Sequence, residues 1–358
     1  MAKRCLVSGI GGFLGSHILE EILVSTDWDV VGIASWHHKG VPERISDSIH
    51  YQEHKDRVTI ITHDLTAPIS LFTASRIGPI DYVIHAAAES HVDRSIEDPV
   101  PFVHNNVNVT LTMLEWARVA KPEAFIQVST DEVYGSAPEG YSHKEWDTIL
   151  PSNPYSASKA AQEALAIAYW RTYDVPVIIT NTMNLIGERQ DTEKFIPKTV
   201  KAIMEGKIMT IHVSPEGKPG SRHYIHCRNQ ANALVWILKT QQVAMYGVRK
   251  VEIEHYTTSD GFDETSKASY MPDRPDRYHI SGQEEIDNLD MAQRIATILG
   301  KELKYELVDY HSIRHGHDTR YSLDSSKIYS LGWTPPIPFE ESLERTISWS
   351  IEHQEWLT

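Results

Sequence analysis

The chain has 358 residues and 41% hydrophobic content, enough for a sizeable core and for two domains or one large domain with a grafted lobe. A formal net charge of -15 argues against a nucleic-acid partner, because proteins that bind the phosphate backbone carry a basic footprint. Two cysteines make no disulfide framework and point to a reducing, cytoplasmic setting, and no stretch is long enough to span a membrane.

Arg4 to Ser8 reads as a short apolar strand running into Gly9-Ile10-Gly11-Gly12-Phe13-Leu14-Gly15, after which Ile18, Leu19, Ile22 and Leu23 recur at helical spacing. Strand, glycine turn and helix in that order suit a dinucleotide pyrophosphate held at a helix N-terminus, so Gly9, Gly12, Phe13, Leu14 and Gly15 are expected cofactor contacts. Val30 to Ala34 reads as the second strand. Its end is where a carboxylate would bind the adenosine ribose, and Ala34 stands there instead. The polar run Ser35-Trp36-His37-His38-Lys39 follows, and Ser35, His38 and Lys39 leave room for a ribose 2′-phosphate. A third strand, Val58 to Thr62, leads to Asp64 and Leu65, whose carboxylate and neighbour could meet the adenine. A fourth, Ile80 to His85, ends in Ala86-Ala87-Ala88, small enough for a cofactor to lie close over Ala86 and Ala88.

Ala124 to Val128 reads as a buried parallel strand, placing Ser129, Thr130, Asp131 and Glu132 at its carboxyl end, where open α/β sheets bind ligands. Tyr155 and Lys159 lie four residues apart on a helix. That spacing puts phenol and ammonium on one face, where the cation can bring a Tyr of ordinary pKa about 10 into range as a base. Pro101 to Ala120 and Tyr155 to Tyr173 are long helical patterns, the second rich in alanine, and Val175 to Thr180 is a further strand. Beyond it come a helix at Lys194 to Lys207, a strand at Ile208 to Val213, and helices at Arg228 to Leu238, Asn288 to Leu299 and Phe339 to Trp349. Glu254 to Arg277 is polar and proline-bearing, and reads as a flexible excursion. Strands alternating with helices predict an α/β fold, a doubly wound parallel Rossmann sheet with a smaller α/β C-terminal substrate-binding lobe. The expected division is 1–181 for the dinucleotide-binding domain, with 226–250 packing back on it, and 182–225 with 251–358 for the sugar-nucleotide lobe. The nineteen histidines are scattered, with no His-Glu-x-x-His pair, so no metal site is expected.

The glycine motif, His85-Ala86-Ala87-Ala88-Glu89-Ser90, Ser129-Thr130-Asp131-Glu132-Val133-Tyr134-Gly135, Pro154-Tyr155-Ser156-Ala157-Ser158-Lys159 and Gly316-His317-Asp318-Thr319-Arg320 together resemble the extended short-chain dehydrogenase/reductases, specifically the nucleotide-sugar 4,6-dehydratases of the dTDP-glucose type. The resemblance runs nearly end to end, and the adjacent Asp131-Glu132 pair is its most specific element. It implies a tightly bound, internally recycled NAD(P), with Ser129, Tyr155 and Lys159 also touching the cofactor. Tyr155 would take the C4 hydroxyl proton, Thr130 hold that hydroxyl, Lys159 tune Tyr155, Glu132 remove the C5 proton and Asp131 protonate the departing C6 hydroxyl. Ser90, Asn184, Lys194, Arg222 and Arg314 would lie along a nucleotide-diphosphate sugar. A homodimer built from the two long helices is also implied. Asn184-Leu185-Ile186-Gly187 and Arg222-His223-Tyr224 depart from the pattern at the nucleotide end, so base and hexose stay open. The alternatives are a 4-epimerase, a dehydratase of other regiochemistry, or a non-catalytic dinucleotide-binding regulator.

Overall fold

The computed structural model describes residues 2–37, 39–240, 273–309 and 320–358, with the backbone of 253–254 and 267–268. Its centre is a sheet of seven parallel strands. Six are β1 (Arg4–Ser8), β2 (Asp29–Ala34), β3 (Val58–Thr62), β4 (Tyr82–His85), β5 (Ala124–Thr130) and β6 (Val177–Thr182), and the seventh is Asp276–Ile280. The spatial order is seventh, β6, β5, β4, β1, β2, β3, so the winding reverses between β1 and β4. That reversal opens a crevice at the carboxyl ends of the strands, where doubly wound sheets take their ligands.

Helices cover both faces, which is why Cys5-Leu6-Val7 and Phe125-Ile126 are apolar without alternation and fully buried. On one face the helices Phe13–Ser25 and Cys227–Thr240 contribute Ile18, Leu19, Ile22, Leu234 and Ile237 to the core. The other face carries Pro99–Ala120 and Pro154–Tyr173, with Met113, Leu114, Ala166 and Trp170. Both of these helices start on a proline, slightly earlier than the apolar pattern suggests. Proline suits the first turn because its missing N–H has no helical partner there. At Pro154 a capping box fixes the start: Asn153 accepts from the Ser156 amide at 2.9 Å and Ser156 Oγ accepts from the Asn153 amide at 3.1 Å. A second core gathers Ile196, Val200, Ile286, Met291, Ile295, Leu343 and Ile347 from the helices Phe195–Met204, Asn288–Leu299 and Phe339–Glu352 and the short strand Glu285–Asp287.

One expectation is overturned. The polar excursion does not run through Arg277, because Asp276 and Arg277 open the seventh strand and pair with Ile178 and Ile179 of β6. Arg277 is only 1% exposed and its charge is met by Glu163, so a residue that reads as solvated is part of the buried interior. Cys5 and Cys227 are both buried and free. Among the described residues no helix is long and apolar enough to cross a membrane.

Candidate active site

After β1 the chain turns sharply. Gly9 has φ +71°, and a Cβ there would lie 2.9 Å from Cα of Ala87. A Cβ on Gly15 would stand 2.1 Å from the Gly9 carbonyl, so the helix Phe13–Ser25 can seat against the turn only without a side chain there. That helix begins at Phe13 with no side-chain cap, leaving its first amides open toward the crevice. This bare cradle fits a dinucleotide pyrophosphate. Ser129 Oγ, buried with no partner among the described residues, faces the same space.

Two adjoining cavities follow from this turn. The first, about 230 Å³, runs past Ala34, Ser35, Lys39, Asp64, Leu65 and Ala86 to Ala88. The second, about 270 Å³, runs from Gly9, Gly12, Phe13, Leu14 and Gly15 to Ser90, Ser129, Thr130, Asp131, Glu132, Tyr155, Lys159, Asn184 and Lys194. The sequence candidates on separate elements are thus brought to one crevice. His38 and Arg314 lie outside the described residues. Arg222 lines neither cavity. Its guanidinium lies 4.5 Å over the ring of Tyr321, and its charge pulls the Asp131 carboxyl downward.

The reactive end is built where β5 passes into the turn Asp131–Tyr134. Thr130 accepts from the Glu132 amide at 3.3 Å and donates from Oγ1 to Asp131 Oδ1 at 2.8 Å. Asp131 Oδ2 is buried without a partner among the described residues. Burial, then the Glu132 carboxylate, push the Asp131 carboxyl up to about 7. Asn153 Nδ2 donates to Glu132 Oε2 at 3.3 Å, and the Tyr321 hydroxyl donates to the same oxygen at 3.5 Å.

Tyr155 departs from expectation. Burial, followed by Glu132, holds its hydroxyl well above the ordinary phenol range, while a hydrogen bond with Thr130 pulls the other way. Lys159 does not turn to the phenol: its Nζ donates to the Val128 carbonyl at 2.7 Å and to Gln162 Oε1. Helical spacing puts the two residues on one face, but β5 and Gln162 capture the ammonium. Burial lowers Lys159 to about 8, opposed by the charge of Glu163.

At the adenosine end, Lys39 is not free for a phosphate, because its Nζ lies 2.9 Å from Asp191 Oδ2 and 3.6 Å from Glu193 Oε2. Ser35 Oγ accepts from the His37 amide at 3.4 Å. Asp64 closes its own turn, accepting from the amide and hydroxyl of Thr66 at 2.9 and 2.8 Å. Sequence reading missed Trp36 and Arg44. The Trp36 ring covers Gly11, whose Cβ would come within 2.7 Å of it, and its indole donates to Thr62 Oγ1 at 2.9 Å. Arg44, only 3% exposed, donates to the carbonyls of Gly11, Lys39 and Arg189. No pattern in the sequence marks either, since both act through loop geometry.

Among the described residues, His17, Glu188 and Cys227 are the one group with metal-ligand spacing. Some of their donor atoms are engaged, whereas Glu188 Oε2 has no hydrogen-bond partner among the described residues and lies 3.6 Å from His17 Nε2. Arg189 Nη2 lies 3.3 Å from His17 Nε2, and Arg228 and Arg345 hold Glu188 Oε1 at 3.2 and 3.0 Å.

A parallel sheet with a glycine cradle at its switch point, and a Tyr/Lys helix beside a strand-end threonine, define an NAD(P)-dependent enzyme of the extended short-chain dehydrogenase/reductase class. The family described as GDP-mannose 4,6 dehydratase matches residues 6–346, and the chain belongs to it. A low-salt glycan biosynthesis protein, Agl12, of Haloferax volcanii is 30% identical over 98% of this chain and 99% of its own. A dTDP-glucose 4,6-dehydratase of Escherichia coli is 31% identical over 99% of this chain and 95% of its own. Among solved structures, the dTDP-glucose 4,6-dehydratase of Bacillus anthracis in complex with NAD has a TM-score of 0.79 and 27% identity, covering 100% of both chains. A UDP-glucose 4-epimerase of Thermus thermophilus reaches 0.77 at 24% identity over 96% of this chain and 98% of its own, a likeness of fold alone. The activity that accompanies this membership is NAD(P)-dependent NDP-hexose 4,6-dehydration, a hydro-lyase reaction.

Proposed function

We propose that the chain converts an NDP-hexose to its 4-keto-6-deoxy derivative through five side chains, four that hold or move protons and a fifth, Lys159, whose charge favours the Tyr155 phenolate. Held over the Gly9 to Gly15 turn, a bound dinucleotide would supply the hydride acceptor for C4 and the hydride donor for C6. Tyr155 Oη, as phenolate, takes the C4 hydroxyl proton, with Thr130 Oγ1 holding the same oxygen and its hydrogen bond to Tyr155 opposing the burial that disfavours the phenolate. Glu132 removes the C5 proton, now acidified by the neighbouring ketone, and later gives it back to C5. Asp131 Oδ2 protonates the C6 hydroxyl, which leaves as water. Tyr155 ends the sequence one proton richer and Asp131 one poorer. Thr130 bonds to both and is the return path, so Thr130→Val should recycle far more slowly than Thr130→Ser; equal rates would remove the path.

Asp131 carries this reading. A carboxyl that keeps its proton near neutrality, with one oxygen unpartnered in the cavity, is what loss of a hydroxyl requires and what a 4-epimerase has no use for. Lys194, whose ammonium donates to the Ser90 carbonyl at 2.7 Å, and Asn184 lie along the sugar diphosphate, with Arg222 beyond Tyr321. The second core forms the sugar-nucleotide lobe. The relatives' names supply dTDP-glucose as the first substrate to try. A panel of NDP-hexoses read by product mass decides: loss of one water supports the proposal, and unchanged mass with altered stereochemistry replaces it with an epimerase.

The cofactor reading starts from Ala34, which neither binds the ribose hydroxyls nor repels a 2′-phosphate. With Lys39 held by two acids, discrimination between NAD and NADP is weak. Identification of the dinucleotide released on denaturation tests this, and an apoprotein that takes up NAD alone would refute it. The same reading includes a cytoplasmic homodimer joined through Pro99–Ala120 and Pro154–Tyr173, where Val100 and Val119 are exposed. A monomer on sedimentation at micromolar concentration removes that element.

A further inference from the structure

The helix Pro154–Tyr173 carries a third ionisable residue on the face of Tyr155 and Lys159. One more turn along stands Glu163, fully buried and outside both cavities. A carboxylate in such a place is costly to bury unless its oxygens are all met. Glu163 Oε1 accepts from Asn181 Nδ2 at 2.7 Å, and Oε2 lies 2.8 Å from Arg277 Nη2. Arg277 in turn donates from Nη1 to the Tyr134 hydroxyl at 2.8 Å and lies 4.4 Å over the ring of Trp146. Asn181 Nδ2 also donates to the Thr130 carbonyl at 2.9 Å. One carboxylate therefore joins the lysine helix, the end of β5 and the seventh strand.

The charged and titratable groups around Lys159 are few. Tyr155 lies one turn back, with Asp131 and Glu132 beyond it. From β4 comes His85, bonded to Ser8 Oγ at 2.7 Å and Thr110 Oγ1 at 2.9 Å, and burial pushes it down to about 3, so it is neutral. Glu163 is the group whose charge favours the ammonium against the burial that opposes it.

We propose that Glu163, clamped by Arg277 and Asn181, is a positioning residue that keeps Lys159 protonated in its buried site and anchors the strand end bearing Thr130. This rests on the roles assigned above to Lys159 and Thr130. It extends the motif to Tyr-x-x-x-Lys-x-x-x-Glu, with the third member speaking only through the second.

The test reads Lys159 directly. Protein labelled with ¹³C at lysine Cε, with its bound dinucleotide, is titrated through the neutral and alkaline range, and the Lys159 signal is assigned by its loss in Lys159→Arg. Glu163→Gln keeps the Asn181 contact and removes the charge, so the Lys159 midpoint should fall by about one pH unit, a tenfold loss of proton affinity. Glu163→Asp should recover part of that shift. Arg277→Met leaves the carboxylate unopposed and should move the midpoint the other way. If Arg277→Met does not fold, the contrast between Glu163→Gln and Glu163→Asp stands alone. A midpoint that stays put in folded Glu163→Gln overturns the proposal, since a merely structural role would lower melting temperature and leave the titration alone. The pH profile of nicotinamide reduction should move with the midpoint. A moved midpoint with an unmoved profile supports the clamp and refutes the part given to Lys159 in the reaction.

Discussion

The two ends of the crevice solve opposite problems. At the adenosine end, Lys39 faces Asp191 and Glu193, and His37 faces Asp64 at 3.7 Å, with the Lys39 and His37 side chains 47% and 61% exposed. At the reactive end Asp131, Tyr155 and Lys159 are 4%, 8% and 5% exposed, and among the described residues none of them is joined in a salt bridge, the charges of Arg222 and Glu163 reaching Asp131 and Lys159 only through space. Water screens the first set, so its pairs tune affinity by small amounts. Dryness governs the second set and decides which groups hold protons. On the proposed roles, recognition falls where solvent reaches and proton transfer where it does not.

The sharpest way to test that contrast is at the acids. Glu132→Gln and Asp131→Asn should each lower release of dehydrated product by about 10² to 10⁴-fold, the usual range for losing a general acid or base, while substrate still reduces the bound cofactor. Absorbance of the reduced nicotinamide, followed beside product mass, separates the two steps. Wild-type turnover in either variant would take that residue out of the elimination.

Proton affinity offers the next test. Asp131 has its carboxyl raised from 3.8 to about 7, so the folded protein keeps a proton that the unfolded chain has already released across that window. Its contribution to stability is therefore complete below the lower value and lost as pH rises toward the upper one, on the order of a few kcal/mol across the whole window. Urea melts should show the native protein losing stability through this window relative to Asp131→Asn. Elimination should also fall off as pH rises through about 7.

A smaller change is expected at the other end of the crevice. Ala34→Asp adds ribose contacts and opposes a second phosphate, and should shift preference toward NAD by roughly tenfold, one charge-assisted hydrogen bond's worth. Competitive titration of apoprotein with both dinucleotides measures it. Smallest of all, Lys39→Ala should cost about 1 kcal/mol or less in stability, an effect that added salt erases. A larger loss would mean that the adenosine end is not screened as described.

Much of the reactive end was legible in the sequence, because Thr130, Asp131, Glu132, Tyr155 and Lys159 sit on a strand end and a helix whose periodicity is plain. The glycine turn was legible for the same reason, since Gly9 and Gly15 stand where a Cβ has no room. Contacts made between distant segments were not legible. Nothing in the run Trp36 to Arg44 tells that Trp36 covers Gly11 or that Arg44 gathers three carbonyls. The direction of the Lys159 ammonium depends on Val128 and Gln162, and the burial of Arg277 on Glu163. Spacing places a side chain on a face, and tertiary partners then decide where its charged end goes.

The seventh strand carries a consequence for how the enzyme comes into being. It joins β6 across a long stretch of chain, and contacts of such separation close late because the loop entropy must be met before they form. Until it docks, Glu163 has no counter-ion and the network under Lys159 is incomplete. If Glu163 acts on Lys159 as proposed, a chain in which this strand docks last would hold Tyr155 and Lys159 in place before the electrostatic partners that arm them arrive. During refolding, helical circular dichroism should recover ahead of nicotinamide reduction, with the delay lengthened in Arg277→Lys. Simultaneous recovery would show instead that arming and folding are a single event.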